Sequence, residues 1–219
     1  MFKLKLFQRV MLFYLLLGLL KPNFSDFLYY FKTDVIGLSQ FQFAMLALVG
    51  SIFVGFGVII YSIWLKETET RTLLTIALIV MAAAALFDIA LTLQWYEELG
   101  ISAFTFIFFT SSTMFPLVLG LFIIPPFVLI AKISPTHVEA TVFAFSASAI
   151  NGCMFFLSRM MGVLWNKLFF HVKEEDLTDL YKLYIVELVC VLFCLLFVKL
   201  IPTWDEVHEV QANLAALHL

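Results

Sequence analysis

The stretch SPTHVEATVFAFSASAIN, running from Ser134 to Asn151, joins two strongly apolar segments through a short polar corner. Ser134-Pro135 stops one helix, because proline lacks an N–H and steers its predecessor away from helical geometry. Thr136-x-x-Glu139 then reads as a capping box that opens the next helix. Beyond it Ala140, Ala144, Ser148 and Gly152 recur every four residues, a small-residue stripe of the kind that lets membrane helices approach closely. Asn151 rides beside that stripe, polar within an apolar run.

Composition outside this stretch sets the class. Hydrophobic residues make up 63% of the 219 and charged residues 13%, mean hydropathy is +1.03, and soluble domains carry about 25% charged residues. The chain reads as an all-α, polytopic membrane protein. The net charge of −3 offers no basic surface for nucleic acid. Cys153, Cys190 and Cys194 all fall inside apolar runs, without disulfide or metal-ligand spacing. No catalytic constellation is visible: there is no HExxH, no phosphate loop, and the four histidines sit in loops or the tail. No cofactor or metal is implied.

Apolar runs long enough for a bilayer recur six times. Spans are expected at about 10–31, 41–65, 72–95, 103–133, 138–165 and 181–201, with a basic leader at 1–9 and a polar, exposed tail at 202–219. Lys21-Pro22 predicts a kink in the first span. In the second, Ser51, Gly55 and Gly57 are candidate contact positions. The fourth run holds 31 residues, about 46 Å as a helix against a core of ~30 Å. Breaks are therefore expected at Pro116, Gly120 and the pair Pro125-Pro126.

An even number of spans puts both termini on one side. With those termini inside, the inner segments hold Lys3, Lys5, Arg9, Lys66, Arg71, Lys132 and Lys199; the outer ones hold Lys32, Lys167, Lys173 and Lys182. The excess of inner bases favours cytoplasmic termini. Asp26, Asp88, Arg159 and Glu187 then lie in the outer half of the membrane, with Lys21 nearer its centre. Each such charge costs at least ~2.5 kcal/mol to insert, so it must face protein or water. One reading is ion pairing or snorkelling. The other is a polar path, in which a small anionic aromatic solute pairs with Lys21 or Arg159 and stacks on Tyr29 and Tyr30 while Asp26 carries a coupling proton. The tyrosines also suit an interfacial aromatic belt.

The run Pro135-x-x-Val138-Glu139-Ala140-Thr141-x-Phe143-Ala144, followed by Asn151, resembles a signature of the folate-biopterin transporter family, a branch of the major facilitator superfamily. So does Pro22-Asn-Phe-Ser-Asp26-x-x-x-Tyr30-Phe31, leading through Thr33 to Gly37-Leu38-Ser39. The resemblance covers residues 10–201 and implies the carboxy-terminal six-helix half of such a carrier. It implies that Lys21, Asp26 and Ser111-Ser112-Thr113 face a central cavity and that Asn151 and Arg159 meet the other half. Asp88 and Glu187 become supports on peripheral helices, and Glu139 and the 66–71 loop with Arg71 form closing contacts at the cytoplasmic rim. Members of this family are similar in carrying pteridines such as folate and biopterin with proton coupling, by rocking two halves about a midplane site. A second half is then required, as a second copy, as a separate chain or as the rest of a truncated product. The alternative is a non-transporting structural subunit of a larger membrane assembly.

Overall fold

The computed structural model describes residues 5–134 and 139–216, without the side chains of Phe122, Glu139 and 213–216. Thr136 and the side chain of Glu139, and with them the expected capping box and rim contact, lie outside the described residues.

Among the described residues the chain is helical throughout, with one isolated β-bridge between Lys173 and Asp176. α1 (Lys5–Leu20) and α2 (Ser25–Tyr30, prolonged by a π-helical turn Phe31–Val35) are separated by an unwound link and bent by 50°. α3 (Gln40–Ile60) opens on a capping box in which Ser39 and Gln42 satisfy each other's backbone N–H. α4 (Thr70–Thr92) is followed by the short α5 (Trp95–Glu98) and a turn at Gly100, whose φ of +67° suits a residue without Cβ. α6 (Ala103–Phe109) starts at a Ser102 cap, passes through a π-helical turn Thr110–Met114 into α7 (Phe115–Ile123), and yields to α8 (Pro125–Lys132). α9 (Glu139–Asn151), a π-helical segment Gly152–Leu157 and α10 (Ser158–Trp165) form one rod. α11 (Leu180–Cys194) and α12 (Trp204–Ala216) close the chain.

Five of these helical stretches are long and apolar enough to cross a membrane, six if the bent α1–α2 pair is one span. The fourth stretch, Ala103–Lys132, corrects the expected breaks. Pro116 follows directly on the π-helical turn Thr110–Met114 and does not stop the helix, and only the Pro125-Pro126 pair interrupts the rod. Gly120 is a contact and not a hinge. A Cβ there would fall 2.1 Å from the Val54 carbonyl oxygen, and one on Gly57 would fall 2.1 Å from that of Leu117. α3 and α7 thus touch backbone to backbone, as small residues permit in membranes. Gly55 has no neighbour and Ser51 is exposed, so of the three expected contact positions only Gly57 serves.

The same test relocates the small-residue stripe. Ala140, Ala144, Ser148 and Gly152 are all exposed, and Gly152 has nothing within 4 Å. The close crossings of this rod lie on its other side. Gly18 of α1 meets the Cys153 carbonyl, and Gly162 of α10 meets that of Asn23. The tail is no free extension either. Val207 is buried in the core, Lys132 lies 3.6 Å from the Trp204 ring centroid, and Arg9 pairs with Glu206 at 2.6 Å.

The apolar interior divides into two clusters, one around α1, α8 and the end of α11, the other around α2, α6 and the start of α11. Three chain segments carry a charge at the seam. Lys21 falls between Leu17 and Phe24, Asp88 between Ala82 and Ile89, and Glu187 between Tyr184 and Val191.

Candidate functional site

The unwound link at 21–24 builds the site. Pro22 cannot donate, and broken backbone inside a membrane has to be satisfied by neighbouring helices. Ser158 of α10 does most of this: its hydroxyl donates to the Lys21 carbonyl at 2.9 Å, and its own carbonyl accepts from the Asn23 N–H at 3.0 Å. The Tyr184 hydroxyl of α11 donates to the Phe24 carbonyl at 3.3 Å. Gly162 lets α10 come close enough for these bonds.

Held in this way, Lys21 points into a cavity of about 250 Å³ bounded by the unwound link, α2 with its π-helical turn, α4, α11 and the α6–α7 rod. Its ammonium donates to Glu187 at 2.8 Å, with each side chain only 13% exposed. Asp88, Tyr184, Ser111 and Lys32 share the same wall. Asp88 feels the charges of Lys32, then Glu187, then Lys21, yet among the described residues it makes no side-chain hydrogen bond or ion pair, and neither does Lys32.

A second, more open hollow of about 380 Å³ lies between α3 and the α6–α7 rod, and Lys32, Ser111 and Phe115 border both. Ligand pockets run to ~300–1,000 Å³, and the internal cavity alone falls just below that range.

The structure brings together only part of the expected set. Lys21 and Ser111 line the cavity. Asp88 and Glu187, read as peripheral supports, line it with them, because α4 and α11 pack on each other directly behind the broken span. Asp26 is outside it. Its side chain is 69% exposed and stands 3.9 Å from Arg159, itself 57% exposed, on the outer surface of the bundle. Asp26 is one position past Ser25, and on a helix that rotates it off the wall that Ser25, Leu28 and Lys32 share.

Tyr29, 37% exposed, packs edge-on against Phe43 and Tyr30, with centroids 5.0 and 5.6 Å away, and neither Tyr29 nor Tyr30 lines the cavity. Asn151 is exposed on the same outward face as the small-residue stripe. Arg71 makes no closing salt bridge among the described residues. Its guanidinium donates to the Ile201 carbonyl at 2.6 and 2.8 Å and to that of Lys199 at 3.3 Å, capping the end of the last span. Pro125 and Pro126 are buried and start α8, where the Ile124 carbonyl accepts from Phe127 and Val128.

Lys32 is the residue that the sequence reading missed, having been counted with the outer segments beyond the first span. The signal was present. Ser25, Leu28 and Lys32 follow a three-four spacing that puts them on one helical face, just beyond Lys21.

A family model described as the BT1 family matches residues 1–216. Among curated proteins, "Probable folate-biopterin transporter 4" of Arabidopsis thaliana is 27% identical over 150 residues, covering 68% of this chain and 30% of that protein. A Plasmodium berghei (strain Anka) protein named as a folate transporter is 25% identical over 191 residues, 87% of this chain and 41% of its own. "Probable folate-biopterin transporter 7" of Arabidopsis thaliana is 27% identical over 171 residues, 78% of this chain and 38% of its own. The chain thus spans well under half the length of the curated relatives it matches. No solved structure matches it.

Proposed function

The chain belongs to the BT1 family, a multi-pass membrane protein family, and on that premise we propose that it is one six-helix half of a carrier for a pteridine-type solute, folate or biopterin. Transport is proton-coupled and by alternating access, with both termini cytoplasmic, and a second half completes the path. That half comes from a second copy, a separate chain or further residues of a longer polypeptide. The observation that carries this reading is the cavity. Four charged side chains converge on an internal hollow at the level where the first span is broken, and charges at such depth are kept where a solute or ion has to pass.

The outward face of α9 and α10 supports the need for a partner half. Asn151, Arg159 and the small-residue stripe are exposed there, and polar groups on a membrane helix belong against protein or water. Asp26, beside Arg159, belongs to that face as well. Only the tight Lys21–Glu187 pair would suit a sealed structural subunit. Asp88 and Lys32, without an ion pair among the described residues on the same wall, favour the carrier.

The experiment is uptake of labelled folate and biopterin by proteoliposomes holding the native particle, with the outside acidic. Uptake is expected, and accumulation of folate should collapse when the proton gradient is dissipated. A particle that takes up neither solute in either gradient direction contradicts the reading.

A further inference from the structure

The cavity wall carries two bases and two acids, Lys21, Lys32, Asp88 and Glu187, so with all four ionised its formal charge is zero. Lys21 and Glu187 satisfy each other at 2.8 Å. Lys32 and Asp88 do not touch, and Lys32 stands at the border of the internal cavity and the open hollow beside α3. A solute entering through the hollow therefore meets Lys32 before any other cation of the cavity. Were that solute to bring a carboxylate, the wall would hold one negative charge in excess, which a poorly solvated cavity penalises heavily.

The acid free to relieve that excess is Asp88, since Glu187 is held by its ion pair. The titratable groups facing Asp88 are Lys21 and Lys32 from the first span and Tyr184 and Glu187 from α11. The α6–α7 rod offers only hydroxyls, Thr110 and Ser111.

We propose that Lys32 binds one carboxylate of the solute and that Asp88 takes up one proton from solution when that carboxylate binds. The proposal rests on the carrier reading and deepens it, naming the solute class and the residue that couples. The Asp88 carboxylate becomes a carboxylic acid, Lys32 keeps its proton, and the wall returns to zero charge. A solute lacking a carboxylate leaves Asp88 ionised and Lys32 as its counter-charge. Coupling then belongs to acidic solutes and not to neutral pterins.

Folate, which has a glutamate tail, and biopterin, which has no carboxylate, separate the two cases. Calorimetric titration of the purified native particle near pH 8, in two buffers of different ionisation enthalpy, reads the protons taken up on binding. Folate is expected to take up about one proton and biopterin none. Asp88→Asn should bind folate without proton uptake, and Asp26→Asn, outside the cavity, should keep it. Lys32→Met should weaken folate at least tenfold and leave biopterin unchanged.

Folate binding by the wild type without proton uptake overturns the proposal, as does proton uptake that persists in Asp88→Asn. Should Asp88→Asn fail to fold, the wild type alone decides. Its folate Kd has to tighten as the pH is lowered from about 8.5 toward 7 while that of biopterin stays flat, and a flat folate profile is refuting. Binding of neither ligand instead removes the carrier reading on which the proposal stands.

Discussion

Replacing Glu187 by Gln leaves Lys21 charged and unpartnered at the seam between the two apolar clusters. The two ions are 2.8 Å apart and 13% exposed, so their attraction at an effective dielectric of 20 is about 6 kcal/mol. Removing both from water costs several kcal/mol per ion, which nearly cancels that gain. Breaking one partner forfeits the attraction and keeps the other ion's burial cost. Glu187→Gln and Lys21→Met should therefore each lose about 3–5 kcal/mol. The double variant Lys21→Met with Glu187→Leu removes both costs and should return to within ~1–2 kcal/mol of wild type.

The assay is reversible unfolding of purified protein in mixed micelles, followed by tryptophan fluorescence, with uptake measured on the same preparations. A stable double variant that no longer transports separates function from folding. Single variants that lose less than ~1 kcal/mol, or a double variant no better than the worse single, would refute the reasoning, because the pair would then be solvated.

Two further outcomes test how the site is held. Gly162→Ala places a Cβ 2.1 Å from the Asn23 carbonyl oxygen, so a loss of about 1–3 kcal/mol is expected. Gly152→Ala, with nothing within 4 Å, should be neutral or stabilising by under ~1 kcal/mol. Equal thermal shifts for the two would contradict the crossing. Arg71→Gln removes charged donors from the carbonyls of Lys199 and Ile201, worth about 1.5–3 kcal/mol together, whereas Lys66→Gln in the same loop should stay within ~0.5 kcal/mol. Chemical denaturation of the two variants side by side checks the difference.

Much of this architecture was legible from residue type alone. Length and hydropathy locate the helices, and Lys21-Pro22 marks the broken span, because both signals depend on the local chain. The direction a helix faces was not legible. The stripe at Ala140, Ala144, Ser148 and Gly152 has the spacing of a packing face, yet the packed glycine of that rod is Gly162, ten residues on and beside Asn23. A stripe of small residues says that close approach is possible and not which neighbour accepts it.

The site divides in the same way. Lys21 and Ser111 could be placed from depth and residue type. Asp26 drew attention as a charge within a familiar-looking motif, but one residue of rotation separates it from the cavity wall. Asp88 and Glu187 were assigned to the periphery by the family resemblance, and it is the packing of α4 on α11 that turns both inward. Lys32 was lost because a π-helical turn carries the helix past Phe31, where the polar residues had suggested a loop.

Whether water and solute reach the cavity is tested most directly by cysteine labelling at its border. In a variant with Cys153, Cys190 and Cys194 replaced by Ala, Ser111→Cys should react with a small membrane-impermeant thiol reagent added to sealed vesicles from one side, and saturating folate should block the reaction. An introduced thiol that stays unreacted from either side, or reacts at the same rate with and without folate, would contradict the account.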